Sequence, residues 1–250
     1  MRFKISYLLL VKLVSFSNAA TDYCDSRLCP NGTHIACGNN GKFGPECPIN
    51  VKVEDLSKMQ SVILHMHNIR RNRVAGGNLR GYQPARRMGV LQWDNELAKL
   101  ALLNAKRCFM DHDICRNTRH FLRSGQNIGM TYTWGKENQL RSHLIDTMDR
   151  WFFEYKLADM SIIKSFRDPK TVGHFTLMVG DHVTQVGCGT VGFTRLGRHT
   201  KITACNYSAT NIFHKPVYRS GATASACVTG RHPTYKNLCS TKENINPNKI

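Results

Sequence analysis

The chain has 250 residues, 41% of them hydrophobic and 21% charged, with ten cysteines and a formal net charge of +18. This composition is ordinary for one good-sized globular domain with appendages, and it excludes a low-complexity or repeat-built chain. The positive charge favours acidic partners such as sulfated glycans or other polyanions. No nucleic-acid-binding motif is present, so nucleic acid is not an expected partner.

Residues 1–19 are predicted to be a secretory signal peptide cleaved near Ala19. A charged start precedes the apolar run Ile5–Val11, and small residues follow it. Lys12 interrupts the apolar core, so the segment is too short and too broken to span a bilayer. No later segment has the length of a transmembrane helix. We expect a secreted, extracellular protein of net charge about +15 (18 − 3) after loss of the three basic residues of this segment.

All ten cysteines lie beyond the predicted signal peptide. No pair has the C-x-x-C spacing of a zinc knuckle or a thioredoxin-like redox site. An even number of cysteines in an exported chain predicts five structural disulfides rather than scattered thiols. Four of them fall among Gly, Pro and Asn in residues 21–50, which predicts a stapled, loop-rich extension.

Three helices are predicted in the first part of the domain. Apolar residues from Leu56 recur at helical spacing up to about Val74, and Gly76-Gly77 ends this helix. Asp94 is placed to cap a second helix, and the clearest apolar stripe predicts a third helix over Leu140–Tyr155. The apolar positions are Met59, Val62, Ile63, Met66 and Ile69 in the first helix, and Leu97, Leu100, Ala101 and Ala105 in the second.

After Pro169 the pattern becomes short segments rich in Val, Thr and aromatic residues, separated by Gly and Arg turns. This pattern predicts three strands, at His174–Val179, Val183–Phe193 and Thr200–Tyr207. The remainder, residues 214–250, is predicted to be an irregular appendage closed by a local disulfide.

The last two predicted strands carry one cysteine each. If they pair antiparallel with Phe193 facing Thr200, then Cys188 faces Cys205, because the two pairs have the same index sum. A cross-strand disulfide follows from this register, and on the chain-entropy model a loop of this size contributes roughly 3 kcal/mol.

Several stretches resemble the CAP superfamily (cysteine-rich secretory proteins, antigen 5 and pathogenesis-related proteins). Gly173–Val179 resembles its first signature, and Cys205–Ile212 resembles its second. Other stretches resemble insect antigen 5 proteins in the same order: Tyr23-Cys24, His67-Asn68, Leu91–Asp94, His112–Thr118, Gly125–Ile128 and Trp151–Glu154. The resemblance spans about residues 22–218. It implies an α/β fold, an α-β-α sandwich whose mostly antiparallel sheet is covered by helices on both faces.

The resemblance also implies a domain organisation and a disulfide pattern. The expected units after the signal peptide are a Cys-rich extension (20–55), a CAP domain (56–213) and the irregular appendage (214–250). By analogy the bridges are Cys24–Cys37, Cys29–Cys115, Cys47–Cys108 and Cys188–Cys205, with Cys227–Cys239 as an additional pair.

A central cavity in this family collects two histidines and two acidic residues. The corresponding positions here are His112, Gln126, Glu154 and His174. Two imidazoles and a carboxylate are a plausible zinc set, so His112 and His174 are the candidate metal ligands. Gln126 replaces the glutamate of many relatives, and an amide is a weaker donor that cannot act as a base. We therefore favour a hydrogen-bonded polar pocket with no required cofactor over a divalent-metal site.

Further departures from the family pattern limit which family properties are expected of this chain. Gly180 stands where the first signature usually has tryptophan, which removes a large ring. The RGD integrin-binding tripeptide of some relatives is absent, because Tyr82 follows Arg80-Gly81. Of two glycosylation sequons, the one at Asn31 lies in the exposed extension and is expected to be used. The one at Asn206, on a predicted strand, is expected to stay bare.

Two classes of function stay open. The first is a secreted, non-enzymatic antigen 5-type binding protein that captures a small hydrophobic ligand such as a sterol or fatty acid, a polyanion, or an unidentified protein receptor. The alternative is a metal-assisted or serine-type hydrolase using His112, Glu154 and His174. Against hydrolysis, the sequence has no G-x-S-x-G elbow and no H-E-x-x-H motif, and no serine can be selected as the nucleophile.

Overall fold

The computed structural model describes residues 21–249, so the predicted signal peptide lies outside the described part of the chain. Five strands form one sheet: β1 (Lys52–Val53), β2 (Gln92–Trp93), β3 (Gly125–Trp134), β4 (Gln185–Arg195) and β5 (Arg198–Tyr207). The helices are α1 (Gln60–Ala75), α2 (Asn95–Ala105), α3 (Leu140–Phe153), α4 (Met160–Lys164) and α5 (Pro169–Met178). Short 3₁₀ turns occupy Pro30–Gly32 and Glu154–Leu157.

The sheet has the strand order β1-β4-β5-β3, with β2 added beside β4. The β2–β4 pair is parallel, and the other pairs are antiparallel. One apolar core packs α1, α3 and α5 against one face of the sheet, and a smaller core packs α2 against the other. The α-β-α sandwich is therefore confirmed. Within residues 21–249, no helix combines the length and apolar character needed to cross a bilayer.

Helix α2 forms as predicted and lies unusually close to the sheet. Asp94 caps it by accepting a hydrogen bond from the Leu97 N–H at 2.7 Å, which satisfies one free amide of the first turn. Gly189 of β4 faces the helix, where a Cβ atom would lie only 2.4 Å from Leu102 Cα. A residue without a side chain is required there, since any larger one would push the helix off the sheet.

The predicted register of the last hairpin is confirmed. Phe193 pairs with Thr200, and Cys188 pairs with Cys205, to which it is disulfide-bonded. The strands extend further than predicted, so that only Leu196 and Gly197 remain as the connecting turn.

All ten cysteines form disulfides in the described chain. The bridges are Cys24–Cys37, Cys29–Cys115, Cys47–Cys108, Cys188–Cys205 and Cys227–Cys239. The first four are the pairs that the family resemblance implies, and the fifth joins the two remaining cysteines. Two of the bridges tie the N-terminal extension to the segment that follows α2. Residues 208–249 contain no helix or strand, only turns and isolated bridges.

The prediction of a strand at His174–Val179 is wrong, because these residues belong to α5 and its C-terminal cap. Asp168 accepts a hydrogen bond from the Thr171 N–H, and Pro169 occupies the first turn, where its missing N–H is not needed. The Val, Thr and aromatic residues that suggested a strand are buried by helical packing, which overrides their strand propensity.

Helix α1 begins at Gln60 rather than Leu56, and it buries a more polar face than predicted. Ile69, assigned to the apolar stripe, is 38% exposed. The buried residues are Ile63, His67, Asn68, Arg70, Arg71, Val74 and Ala75. This face is buried because its polar side chains bind the backbone of neighbouring loops: Asn68, for example, donates to and accepts from the backbone of Leu91.

Candidate functional site

The four family-implied residues His112, Gln126, Glu154 and His174 lie together beside α5. A cavity of about 400 Å³ is lined by His112, Gln126 and His174. Glu154 does not line the cavity but contacts the His174 ring. Helix α5 supplies one wall from a single face, since Lys170, Gly173, His174 and Leu177 are spaced at i, i+3, i+4 and i+7. The rest of the lining is His112 from the loop after α2, Gln126 and Asn127 from β3, and Phe166, Thr210, Asn211 and Phe213 from loops.

Gln126 holds His112 in one tautomer. Its Nε2 donates to Asp113 Oδ2 at 2.8 Å and to Asn206 Oδ1 at 2.9 Å, so its Oε1 must face the ring. That oxygen lies 2.7 Å from His112 Nδ1 and can only accept, so Nδ1 carries the proton and Nε2 keeps its lone pair in the neutral ring. A glutamate here would turn a carboxylate oxygen toward Asp113, which explains why this chain keeps the amide.

His112 sits at the rim of the cavity, and its pKa is lowered. Much of the residue is exposed, but part of its ring lies against the protein. The resulting partial desolvation disfavours the protonated ring and is the main cause of the lower pKa. The hydrogen bond to Gln126 acts in the opposite direction. The ring is therefore more readily neutral than a free histidine, as an acceptor for a ligand N–H or O–H group.

His174 is held by a carboxylate. Its Nδ1 lies 2.5 Å from Glu154 Oε1, and the second oxygen of Glu154 accepts the Phe175 N–H at 3.0 Å. The ring stacks on Trp151 with a centroid separation of 5.9 Å. These contacts leave only the Nε2 edge of His174 facing the cavity.

The oxygen donors near the two histidines are already used. Gln126 Oε1 binds His112, and both oxygens of Glu154 bind α5. Consistent with this, residues 21–249 contain no group of three or more His, Cys, Asp or Glu side chains placed to hold a metal ion. Two imidazoles alone fall short of the three or four protein ligands that zinc sites usually have.

The site also lacks the pairing needed for a serine-type mechanism. An activated hydroxyl nucleophile is recognised by its hydrogen bond to a base. Within the described chain, neither His112 nor His174 makes a hydrogen bond to a serine or threonine hydroxyl. Gln126 cannot replace a carboxylate as a base, so the cavity offers oriented hydrogen-bonding groups but no hydroxyl that is hydrogen-bonded to a histidine.

The apolar part of the cavity was not predicted from the sequence. Phe166, Leu177 and Phe213 line it, and the two phenylalanine rings pack with centroids 5.7 Å apart. Lys170 adds a positive charge at the exposed side of α5. Placing His174 on a helix would have found Lys170 and Leu177, whereas the two phenylalanines come from loops that no local pattern positions.

The space left by the missing tryptophan at Gly180 is filled by neighbours. A Cβ atom on Gly180 would lie 3.0 Å from Val183 Cγ2 and 3.4 Å from His182 Cε1. The Gly180 carbonyl accepts a hydrogen bond from the buried Arg71 at 2.8 Å. Gly180 therefore belongs to a tightly packed loop and not to the cavity lining.

Two of the concavities outside this site border the central sheet and the C-terminal appendage, respectively. One of about 480 Å³ lies beside α2 and β4, and no histidine lines it. The other, of about 420 Å³, is a basic pocket between the C-terminal appendage and the domain. Its cationic lining residues are Arg86, Arg87, Arg219 and Lys249, and Asp181 is the acidic member.

The two sequons differ in accessibility. Asn31 is exposed in the extension. Asn206 is fully buried in β5, where its amide contacts Gln126 and Leu97. An Asn206-linked glycan would have no room in this fold.

Comparisons with known proteins agree with the fold described above. The model of the cysteine-rich secretory protein (CAP) family matches residues 64–207. Venom allergen-1 of Aedes albopictus is 38% identical over 95% of this chain and 94% of its own length. Antigen 5 like allergen Cul n 1 of Culicoides nubeculosus is 39% identical over 74% of this chain and 89% of its own. The crystal structure of NaASP2 with Zn²⁺ superposes with a TM-score of 0.62 at 25% identity, covering 78% of this chain and all of that one.

Proposed function

This chain belongs to the cysteine-rich secretory protein (CAP) family, among the venom allergen and antigen 5 proteins, and on that premise we propose that it is a secreted binding protein without enzymatic activity. In this proposal residues 1–19 direct export, Asn31 carries a glycan, and the domain of residues 56–213 presents the cavity. The five disulfides support the extracellular assignment, since such bonds persist in oxidising compartments.

The ligand we propose for the cavity is an amphipathic acid of the fatty-acid class. The observation that carries this is the combination of an apolar wall, formed by Phe166, Leu177 and Phe213, with Lys170 and His174 on the adjoining helix face. A volume of about 400 Å³ suits a small ligand whose apolar chain lies on the wall. Its carboxylate would pair with Lys170. A sterol would use the same wall but gain nothing from this charge.

Phe213→Ser and Lys170→Glu are each expected to weaken the binding of dodecanoate about tenfold. The first removes an apolar contact worth roughly 1.5 kcal/mol or more, and the second replaces attraction for the carboxylate by repulsion. Both residues are exposed, so the fold should persist. Isothermal titration calorimetry measures the affinity, and Phe153→Ser, a phenylalanine of similar exposure outside the cavity, is the matched control. Unchanged affinity in both variants would rule out this ligand site.

A polyanion is a second ligand class, supported by the basic pocket. Arg70 and Arg71 are adjacent in the sequence, but they do not contribute to a basic surface because both side chains are buried. Arg87 is paired with Glu243, with Nε and Oε1 2.7 Å apart. Arg86 and Arg219 are exposed, and their guanidinium groups have no hydrogen bond or ion pair with any described residue. We propose that these two bind sulfate groups of a glycan.

The double variant Arg86→Ala, Arg219→Ala is expected to bind a heparin oligosaccharide about a hundredfold more weakly than the wild type. Each lost guanidinium removes charge-assisted hydrogen bonds worth roughly 1.5 kcal/mol when formed with a sulfate. Elution from a heparin column in a salt gradient reports the change, which should shrink as salt rises. Arg73→Ala, Arg80→Ala, which removes the same charge from other exposed sites, is the control. Equal elution of the two double variants would mean that only net charge matters.

A further inference from the structure

Apolar side chains protrude at one end of the central sheet, outside the cavity and the basic pocket. They are Ile49, Tyr132, Trp134 and Leu196, which we call the sheet tip. Their exposed fractions are 106%, 52%, 67% and 91%. Groups of large apolar residues left in water by a soluble protein mark sites of interaction with a protein or a membrane.

The sheet tip is one continuous structure. Trp134 ends β3 opposite Arg198, and a Cβ atom on Gly197 would lie 3.9 Å from the Trp134 ring, so this ring lies beside the β4–β5 turn. The segment that carries Ile49 is tied to the same turn, since Asn50 Nδ2 donates to the Thr194 carbonyl at 3.0 Å. The protruding side chains therefore share one end of the molecule.

Leu196 is in a conformation that does not suit leucine. The two turn residues, Leu196 and Gly197, have φ values of 50° and 73°. Two-residue hairpin turns with positive φ at both positions strongly prefer Asn-Gly. Most side chains are strained in this left-handed region, whereas glycine and asparagine tolerate it. Leu196 is almost fully exposed and adds no packing to the core, so folding does not explain this residue.

Basic side chains surround the apolar ones. Arg198 lies over the Tyr132 ring at 4.7 Å, and Arg195 lies over Phe193 at 6.0 Å. Lys136 is exposed shortly after Trp134. Glu137 beside it is paired with Lys52 at 3.4 Å and with Lys201, so it does not cancel this charge.

We propose that the sheet tip inserts into the interface of an anionic lipid bilayer. Protein interfaces are built round a packed apolar centre, whereas side chains that protrude singly from a turn and a strand end can be buried by a deformable lipid surface. Tryptophan and tyrosine favour the headgroup region, and an aliphatic residue at the turn can reach the acyl chains below it. The arginines and lysine would contact anionic headgroups at the same time. This membrane contact is separate from the ligand proposed for the cavity.

Binding to vesicles of phosphatidylcholine with phosphatidylserine tests the proposal. We expect the wild type to co-float with these vesicles, and Trp134 fluorescence to shift to shorter wavelength. Leu196→Asn, which suits the turn and so keeps or raises the melting temperature, should lower the partition coefficient about tenfold. Ile49→Ser, Leu196→Asn should bind still less. Trp134→Phe should keep most of the binding and lose the fluorescence shift.

The control is the double variant Leu157→Ser, Val228→Ser, which removes aliphatic residues of 68% and 81% exposure elsewhere on the surface. It should bind as the wild type does. The proposal fails if the wild type does not bind these vesicles, or if the control loses as much binding as the tip variants. It also fails if the tip variants bind normally, because adsorption would then be due to charge at another site.

Discussion

Replacing Arg71 by methionine is expected to lower the free energy of unfolding by about 4 kcal/mol or more, the largest single effect that we predict. Arg71 is fully buried, and desolvation lowers its pKa to about 9. Its guanidinium donates to four backbone carbonyls in two separate segments: that of Gly89, and those of Met178, Gly180 and Val183. Methionine keeps the aliphatic stem but leaves these carbonyls without their donor.

The branched guanidinium group of arginine, and not its charge alone, stabilises the fold at this position. Lysine would keep the charge but cannot reach carbonyls on several sides at once, so Arg71→Lys should be nearly as destabilising as Arg71→Met. Arg73→Met, on the exposed face of the same helix, is the control and should change stability by less than about 0.5 kcal/mol. Guanidinium denaturation under non-reducing conditions measures all three. Equal stability of the Arg71 and Arg73 variants would contradict this role.

The second large effect is a loss of stability in mild acid, caused by two buried histidines. Burial lowers the pKa of His67 to about 4 and that of His143 to about 3. His67 donates from Nδ1 to the Ile63 carbonyl at 2.8 Å, and its Nε2 lies 2.9 Å from the Tyr207 hydroxyl. Both rings are therefore neutral in the folded protein near neutral pH.

Proton linkage gives the direction in which the free energy of unfolding changes with pH. In the unfolded chain a histidine takes up its proton near pH 6.5, whereas the folded chain does so only near the lowered values, so the unfolded state binds more protons between them. Stability is full above about pH 7.5 and falls as the pH falls, by about 2 kcal/mol per histidine down to about pH 5.

The measurement is the slope of unfolding free energy against pH. His67→Phe and His143→Gln should each reduce the slope by about one proton, or about 1.4 kcal/mol per pH unit, whatever they do to stability near neutral pH. Met148→Leu, a buried substitution that removes no titrating group, should leave the slope unchanged. The account is wrong if the His67 and His143 variants keep the wild-type slope.

Local signals predicted the elements that depend on near neighbours. The Asp94 cap fixes the start of α2 through a bond to a residue three positions away. The β4–β5 register follows from pairing about a short turn, and it places Cys188 opposite Cys205 without knowledge of the rest of the fold.

Elements decided by tertiary packing were not predicted. The composition of α5 fits a strand as well as a helix, and burial against the sheet decides between them. Strand β3 was missed because glycine weakens the strand pattern. The reason for Gly129 is visible only once α3 is in place, since a Cβ atom there would lie 2.3 Å from Thr147 Cγ2.

The site shows the same division. The polar residues at 112, 126, 154 and 174 were predicted from the resemblance, whereas no sequence pattern places Phe166 and Phe213 beside them. Nor could it show that Asp113 and Asn206 fix the orientation of Gln126, because those contacts join a loop and two strands.

The central claim is that the cavity holds an amphipathic acid without transforming it. Native mass spectrometry of the protein mixed with dodecanoic acid and its methyl ester tests this most directly. We predict one intact dodecanoate per chain, a weaker complex for Phe213→Ser, and full recovery of the ester. The absence of any complex would contradict the claim. So would ester cleavage by the wild type that is lost in the His112→Ala, His174→Ala variant, because the histidines would then be catalytic.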